Sequence, residues 1–305
     1  MSAPSPPAPP TPGGWRDYAT LAKPGITALI VLVAVGGYFV AAPASFDPIR
    51  LALLIATGAA ASAGSAMLNH YLDRDLDARM GRTKHRPLPE RRIDPSGLAA
   101  LLGLLLLALG VAGASLLLNP LTGLSILSGG VTYVLVYTAW LKRRSSWNIV
   151  IGGFAGSAPA LAGSAAAVGT WTPGALALAL LVFLWTPPHF WSLALILRED
   201  YKAVGLPMLP RMDDPAYSAK VVVVSAALLT PATLLLVLFG PIAWPTILVV
   251  LAAAGAFVVL TVPLWRSAER RIARRGFVYS GPYLLIVLLA LVANFGLLRL
   301  GWAGI

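Results

Sequence analysis

The chain has 305 residues, 58% of them hydrophobic and only 11% charged, with no cysteine and a net charge of +11. An ordinary soluble domain is about a quarter charged, so this chain lacks the polar side chains to cover a globular surface. The missing cysteine excludes disulfides and thiolate metal sites.

Residues 1–14 (MSAPSPPAPPTPGG) are rich in Pro, Ala and Ser. Such a stretch cannot bury a core and is predicted to be a disordered cytoplasmic tail. It lacks the apolar core of a signal peptide and the Arg-rich pattern of a mitochondrial presequence, which favours a bacterial cell (inner) membrane. The rest, 15–305, is predicted to be a single transmembrane domain. It holds nine apolar blocks long enough to cross roughly 30 Å of hydrocarbon: 25–42, 50–68, 97–117, 121–141, 147–167, 173–197, 219–239, 245–265 and 277–298. The predicted fold class is therefore an all-α integral membrane protein with nine transmembrane helices.

A cytoplasmic N-terminus and an outside C-terminus put 21 of the 23 Lys and Arg residues in the inside segments, leaving only Arg50 and Arg299 outside. That asymmetry is the one the positive-inside rule requires. The net charge is thus read as orienting the helices and facing anionic membrane lipid, with no nucleic-acid partner.

Charged groups at span ends are costly and mark function. The first acidic segment, after the second block, reads NHYLDRDLDARMGRTKHRPLP (69–89). Asn69, Asp73 and Asp77 recur every fourth residue, so on a helix each turns only about 40° from the last. They form one oxygen-rich stripe, with Asp75 pointing away into solvent. Carboxylate and amide oxygens suit a hard cation, and Mg2+ is commonly held by one or two carboxylates plus substrate phosphates. Arg79, Arg82, Lys84 and Arg86 follow as phosphate contacts, and Pro87 and Pro89 are expected to end the helix. An acidic helix end balanced for topology would explain the charges but not the register.

The second segment, after the sixth block, reads WTPPHFWSLALILREDYKAVGLPMLP (185–210). Glu199 and Asp200 stand beside Arg198 and Lys202. Pro187 and Pro188 are expected to interrupt the span, and irregular backbone in a membrane belongs where it packs on protein or lines a cavity. His189 sits there, either as a packed histidine or as a substrate contact. A third stretch, from Asn148, carries Gly152, Gly156 and Ala160 at four-residue spacing, which reads as close helix packing. Asn148 itself reads as a helix cap or a substrate contact.

At these residues the sequence resembles the UbiA-type intramembrane prenyltransferases. The strings that carry the likeness are LAKPGIT (21–27), NHYLDRDLDARMGRTKHRPLP, YTAWLKRRSSWNIVIGG (137–153) and PPHFWSLALILREDYKAVGLPMLP (187–210). They are most similar to the heme-farnesylating branch. Quinone-type members open the second motif with an Asp inside span six; this chain has His189 and Phe190 near that position. The resemblance implies that farnesyl passes from farnesyl diphosphate to a vinyl group of heme B (protoheme IX), giving heme O. It implies Mg2+ on Asn69, Asp73 and Asp77, joined by Asp200 or Glu199. It also implies that Arg82, Arg86, Lys202 and Lys23 neutralise the departing diphosphate, and that His189 faces the porphyrin. A downstream heme A synthase is the implied partner.

Two rivals remain. One is prenylation of a quinone precursor or chlorophyllide, against which the His189 region weighs. The other is a secondary transporter, which would bury charges at mid-membrane and show inverted repeats.

Overall fold

The computed structural model describes residues 13–41 and 46–302; residues 1–12 of the predicted tail lie outside them. Long apolar runs with few interior Gly or Pro become helices because only helices satisfy their own backbone in hydrocarbon. The order is α1 (Trp15–Leu21), α2 (Pro24–Val40), α3 (Pro48–Asp77), α4 (Gly97–Leu117) and α5 (Pro120–Val131), which continues as a π-helical segment, Thr132–Leu141. Then come α6 (Asn148–Gly152), α7 (Phe154–Val168), α8 (Pro173–Ile196), α9 (Arg198–Ala203), α10 (Pro215–Ala227), α11 (Leu229–Phe239), α12 (Trp244–Thr261) and α13 (Arg270–Arg299).

Among the described residues, eight helical stretches are long and apolar enough to span a membrane, and α1 with α2, bent by 47°, makes the ninth. The predicted blocks match these stretches within four residues, except that α3 runs nine residues past the second block, α13 begins seven before the ninth, and α1 precedes the first. The chain is a multi-pass membrane protein.

The helices pack through small residues. A Cβ on Gly37 of α2 would lie 2.1 Å from the Ala160 carbonyl oxygen, and one on Gly163 of α7 would lie 1.9 Å from that of Ala34. Gly64 meets Gly103 in the same way across α3 and α4. Without a hydrophobic drive between helices in lipid, this close van der Waals contact is what holds them. The outward face of α4 is a row of leucines, among them Leu101, Leu104 and Leu109.

Two expectations are corrected. Helix α3 ends at Asp77, ahead of Pro87, because the chain folds back on that residue. Thr83 Oγ1 donates to the Asp77 carbonyl at 3.0 Å, and Arg86 reaches its carboxylate. The second correction is that α8 runs unbroken through Pro187 and Pro188 and stops only at Ile196. Two prolines remove just two donors, those opposite the Phe183 and Leu184 carbonyls, and packed membrane helices tolerate that. Asp75 is exposed, as expected, and is also bonded by Arg143 at 2.8 and 2.9 Å.

Candidate active site

The stripe on α3 lies buried at the basic end of the bundle. Asn69, Asp73 and Asp77 are 3%, 1% and 3% exposed. Asp73 Oδ2 accepts from Asn69 Nδ2 at 3.0 Å and from Lys142 Nζ at 2.5 Å. Asp77 Oδ2 accepts from Arg86 at 2.7 Å. Lys23 Nζ donates to Asn69 Oδ1 at 2.6 Å and to the Tyr133 hydroxyl at 3.1 Å. Lys23 occupies the turn between α1 and α2 in the left-handed region, φ 48°, which is uncommon for a residue with a Cβ. Helix α1 is fixed by Asp17, whose carboxylate pairs with Arg92 at 2.8 Å.

Two carboxylates therefore face three cations, and the cluster keeps one excess positive charge for an anion. One acceptor is left over: Asp73 Oδ1 is buried with no hydrogen-bond partner. An orphaned carboxylate oxygen beside an amide and a second carboxylate fits a hard divalent cation. His70 adjoins on the same helix face, buried, with both ring nitrogens unpartnered and Nδ1 4.0 Å from Asp77 Oδ2.

Lys23 and Tyr133 also line an apolar cavity of about 180 Å³ that runs away from the cluster between α2, α3, α5 and α7. Its walls are mostly Gly, Ala and Ser. The two residues thus form a joint between a charged pocket and a hydrocarbon-lined one.

The remaining predicted residues make other contacts. Arg82 hydrogen-bonds Tyr201, whose buried phenol is pushed above its ordinary pKa. Asn148 Nδ2 donates to the carbonyls of Ser145 and Pro207 at 2.7 and 3.0 Å, tying α6 to the loop after α9. His189 stacks on Trp185, with ring centroids 4.5 Å apart, and its Nδ1 lies 2.6 Å from Ser280 Oγ on α13. It does not line the cavity; its neighbour Phe190 does. Glu199, Asp200 and Lys202 are exposed, and the two acids border a separate pocket with Arg270. Among the described residues no three His, Asp or Glu side chains form a metal-holding group.

Sequence reasoning missed Lys142, Tyr133 and Thr138, the last accepting from Asn69 Nδ2 at 2.9 Å. All three lie on or just after the π-helical segment, where Tyr133 and Tyr137 stack 6.0 Å apart. The four-residue spacing of the tyrosines was visible, but Lys142 was counted only as a charge that orients helices.

The model of the UbiA prenyltransferase family matches residues 29–281. The chain is 41% identical over 275 residues to the protoheme IX farnesyltransferase of Metallosphaera sedula, covering 90% of this chain and 94% of that one. It is 38% identical over 283 residues to that of Nostoc sp., covering 92% and 88%. Among solved structures it is similar to a UbiA homolog from Archaeoglobus fulgidus bound to GPP and Mg2+, with a TM-score of 0.68 and 18% identity, covering 90% of this chain and 99% of that one. With the fold, the stripe and the relatives in agreement, the chain belongs to the UbiA prenyltransferase family.

Proposed function

We propose that the chain transfers the farnesyl group of farnesyl diphosphate to a vinyl group of heme B, producing heme O in the cell (inner) membrane from a site open to the cytoplasm. The observation that carries the donor side is the joint at Lys23 and Tyr133, where a cationic pocket meets an apolar cavity. A prenyl diphosphate has the same two halves. The acceptor follows from the relatives of about 40% identity and the activity they are named for.

Asn69, Asp73 and Asp77 are the residues that would hold Mg2+. When bound, the ion supplies Lewis acidity at the diphosphate oxygens. Asp200 or Glu199, on the segment after α8, is the second group proposed to join Asn69, Asp73 and Asp77. Lys142 pairs with Asp73, Arg86 with Asp77, and Lys23 bonds the Asn69 amide oxygen, so all three cations border the site proposed for the phosphates. As the C1–O bond breaks, its electron pair leaves with the diphosphate, and these fixed cations stabilise the charge that develops there. The vinyl π pair closes a C–C bond to C1. The carbon left electron-deficient beside the porphyrin ring takes water and loses a proton, leaving the hydroxyethyl group of heme O. The apolar walls keep bulk water from C1 until the C–C bond has formed. A downstream heme A synthase is the proposed consumer of the product.

Asp73→Asn removes the charge that faces both the orphaned position and Lys142. In membranes supplied with heme B, farnesyl diphosphate and Mg2+, heme O formation is expected to fall on the order of 100-fold. Formation at the wild-type rate would overturn the proposed role.

A further inference from the structure

The apolar cavity has soft walls and a hard floor. Along α3 its lining runs from Ser65 through Ser62 and Gly58 to Leu54, which is 1% exposed. Leu54 belongs to a separately packed cluster with Ala34, Tyr38, Phe39 and Ala162, and Ile126 packs against it. Ala34, Ala162 and Ile126 also line the cavity, among the lining residues of α2, α7 and α5 farthest along those helices from the Lys23 end. The cluster therefore closes the cavity at the end opposite the charged pocket.

The depth can be set against the chemistry. From Lys23 to Ala34, α2 advances about 16 Å at roughly 1.5 Å per residue. An extended carbon chain advances roughly 1.2 Å per bond, as a polypeptide does, so the twelve in-line carbons of a farnesyl group span about 14 Å. One more isoprene unit would add about 5 Å on the same scale and meet Leu54. Gly58 lies one turn of α3 nearer the mouth, about 6 Å, or close to one isoprene unit. A Cβ placed there meets nothing within 4 Å.

We infer that Leu54 and the cluster behind it set the length of prenyl chain the enzyme accepts at three isoprene units, with Gly58 keeping the last unit's space open. The inference rests on the proposed prenyl diphosphate site. It assigns these residues a specificity role, since none touches the reacting carbon.

Two variants move the floor in opposite directions. Gly58→Leu should shorten the cavity by one unit without disturbing the fold. Leu54→Ala should lengthen it. Wild type and both variants are compared with geranyl, farnesyl and geranylgeranyl diphosphates, by the mass of the heme product and by competition binding. Gly58→Leu is expected to lower the farnesyl-to-geranyl ratio of kcat/KM at least tenfold, and Leu54→Ala to raise the geranylgeranyl-to-farnesyl ratio by a similar factor. Equal losses on all three donors, or unchanged ratios in Gly58→Leu, overturn the inference while leaving the heme reaction intact. A wild-type protein that binds farnesyl diphosphate yet makes no prenylated heme overturns the proposed function instead.

Discussion

One carboxylate oxygen of Asp73 accepts two hydrogen bonds while the other accepts none, and the residue is 1% exposed. Lys142 is the only full charge bonded to it among the described residues. Removing one partner of a buried ion pair leaves the other charge uncompensated, at a cost on the order of 3 kcal/mol. Lys142→Met should therefore lower both Tm and the rate of heme prenylation. Adding Asp73→Asn removes the stranded charge, so the double variant should regain most of the lost Tm. Its activity should stay low, because both groups are assigned to holding the metal diphosphate. Thermal unfolding in detergent and the heme assay on the same four proteins separate the two effects, and a double variant that recovers activity along with Tm would place the pair outside the chemistry. The stripe itself was legible, because four-residue spacing survives as a helix face. Lys142 was not, because its bond to Asp73 joins positions 69 residues apart, and charge counting treats all cytoplasmic cations alike.

The helices position this chemistry through close approaches that sequence spacing only hints at. Gly152, Gly156 and Ala160 were read as a packing face, yet the tightest contacts of α7 against α2 fall at Ala160 and Gly163. A side chain at Gly163 would enter the Ala34 carbonyl, and α2 follows directly on Lys23 and carries one wall of the cavity. Gly163→Leu should push α2 off α7, lower Tm and weaken farnesyl diphosphate binding, measured by isothermal titration. Gly58→Leu adds the same side chain in open space and should leave Tm within a few degrees of wild type. Equal Tm values for the two would mean the α2–α7 contact does not hold the site. The π-helical turn after α5 and the continuity of α8 both escaped sequence reasoning for one reason. Hydrogen-bond register within a helix depends on what its neighbours supply, as Ser280 does by accepting from Trp185 through its carbonyl and pairing with His189 through its hydroxyl.

At the scale of the whole molecule, composition made the spans legible, because residues that must face lipid have few chemical options. Orientation rests on charge alone: 21 of the 23 Lys and Arg residues fall at one end of the helices, the end that holds the Asp73 cluster. On the positive-inside rule, that end is the one proposed to face the cytoplasm. The chain has no cysteine, so a single introduced thiol reports on its own position without background. Arg274, exposed on the basic end of α13, and Trp302, exposed beyond its other end, sample the two faces. A membrane-impermeant maleimide added to intact cells should label Trp302→Cys and spare Arg274→Cys, and lysis should make both reactive. Labelling of Arg274→Cys in intact cells would invert the topology. The diphosphate pocket would then open away from the cytoplasm, and the proposed cytoplasmic access of farnesyl diphosphate to the site would fall with it.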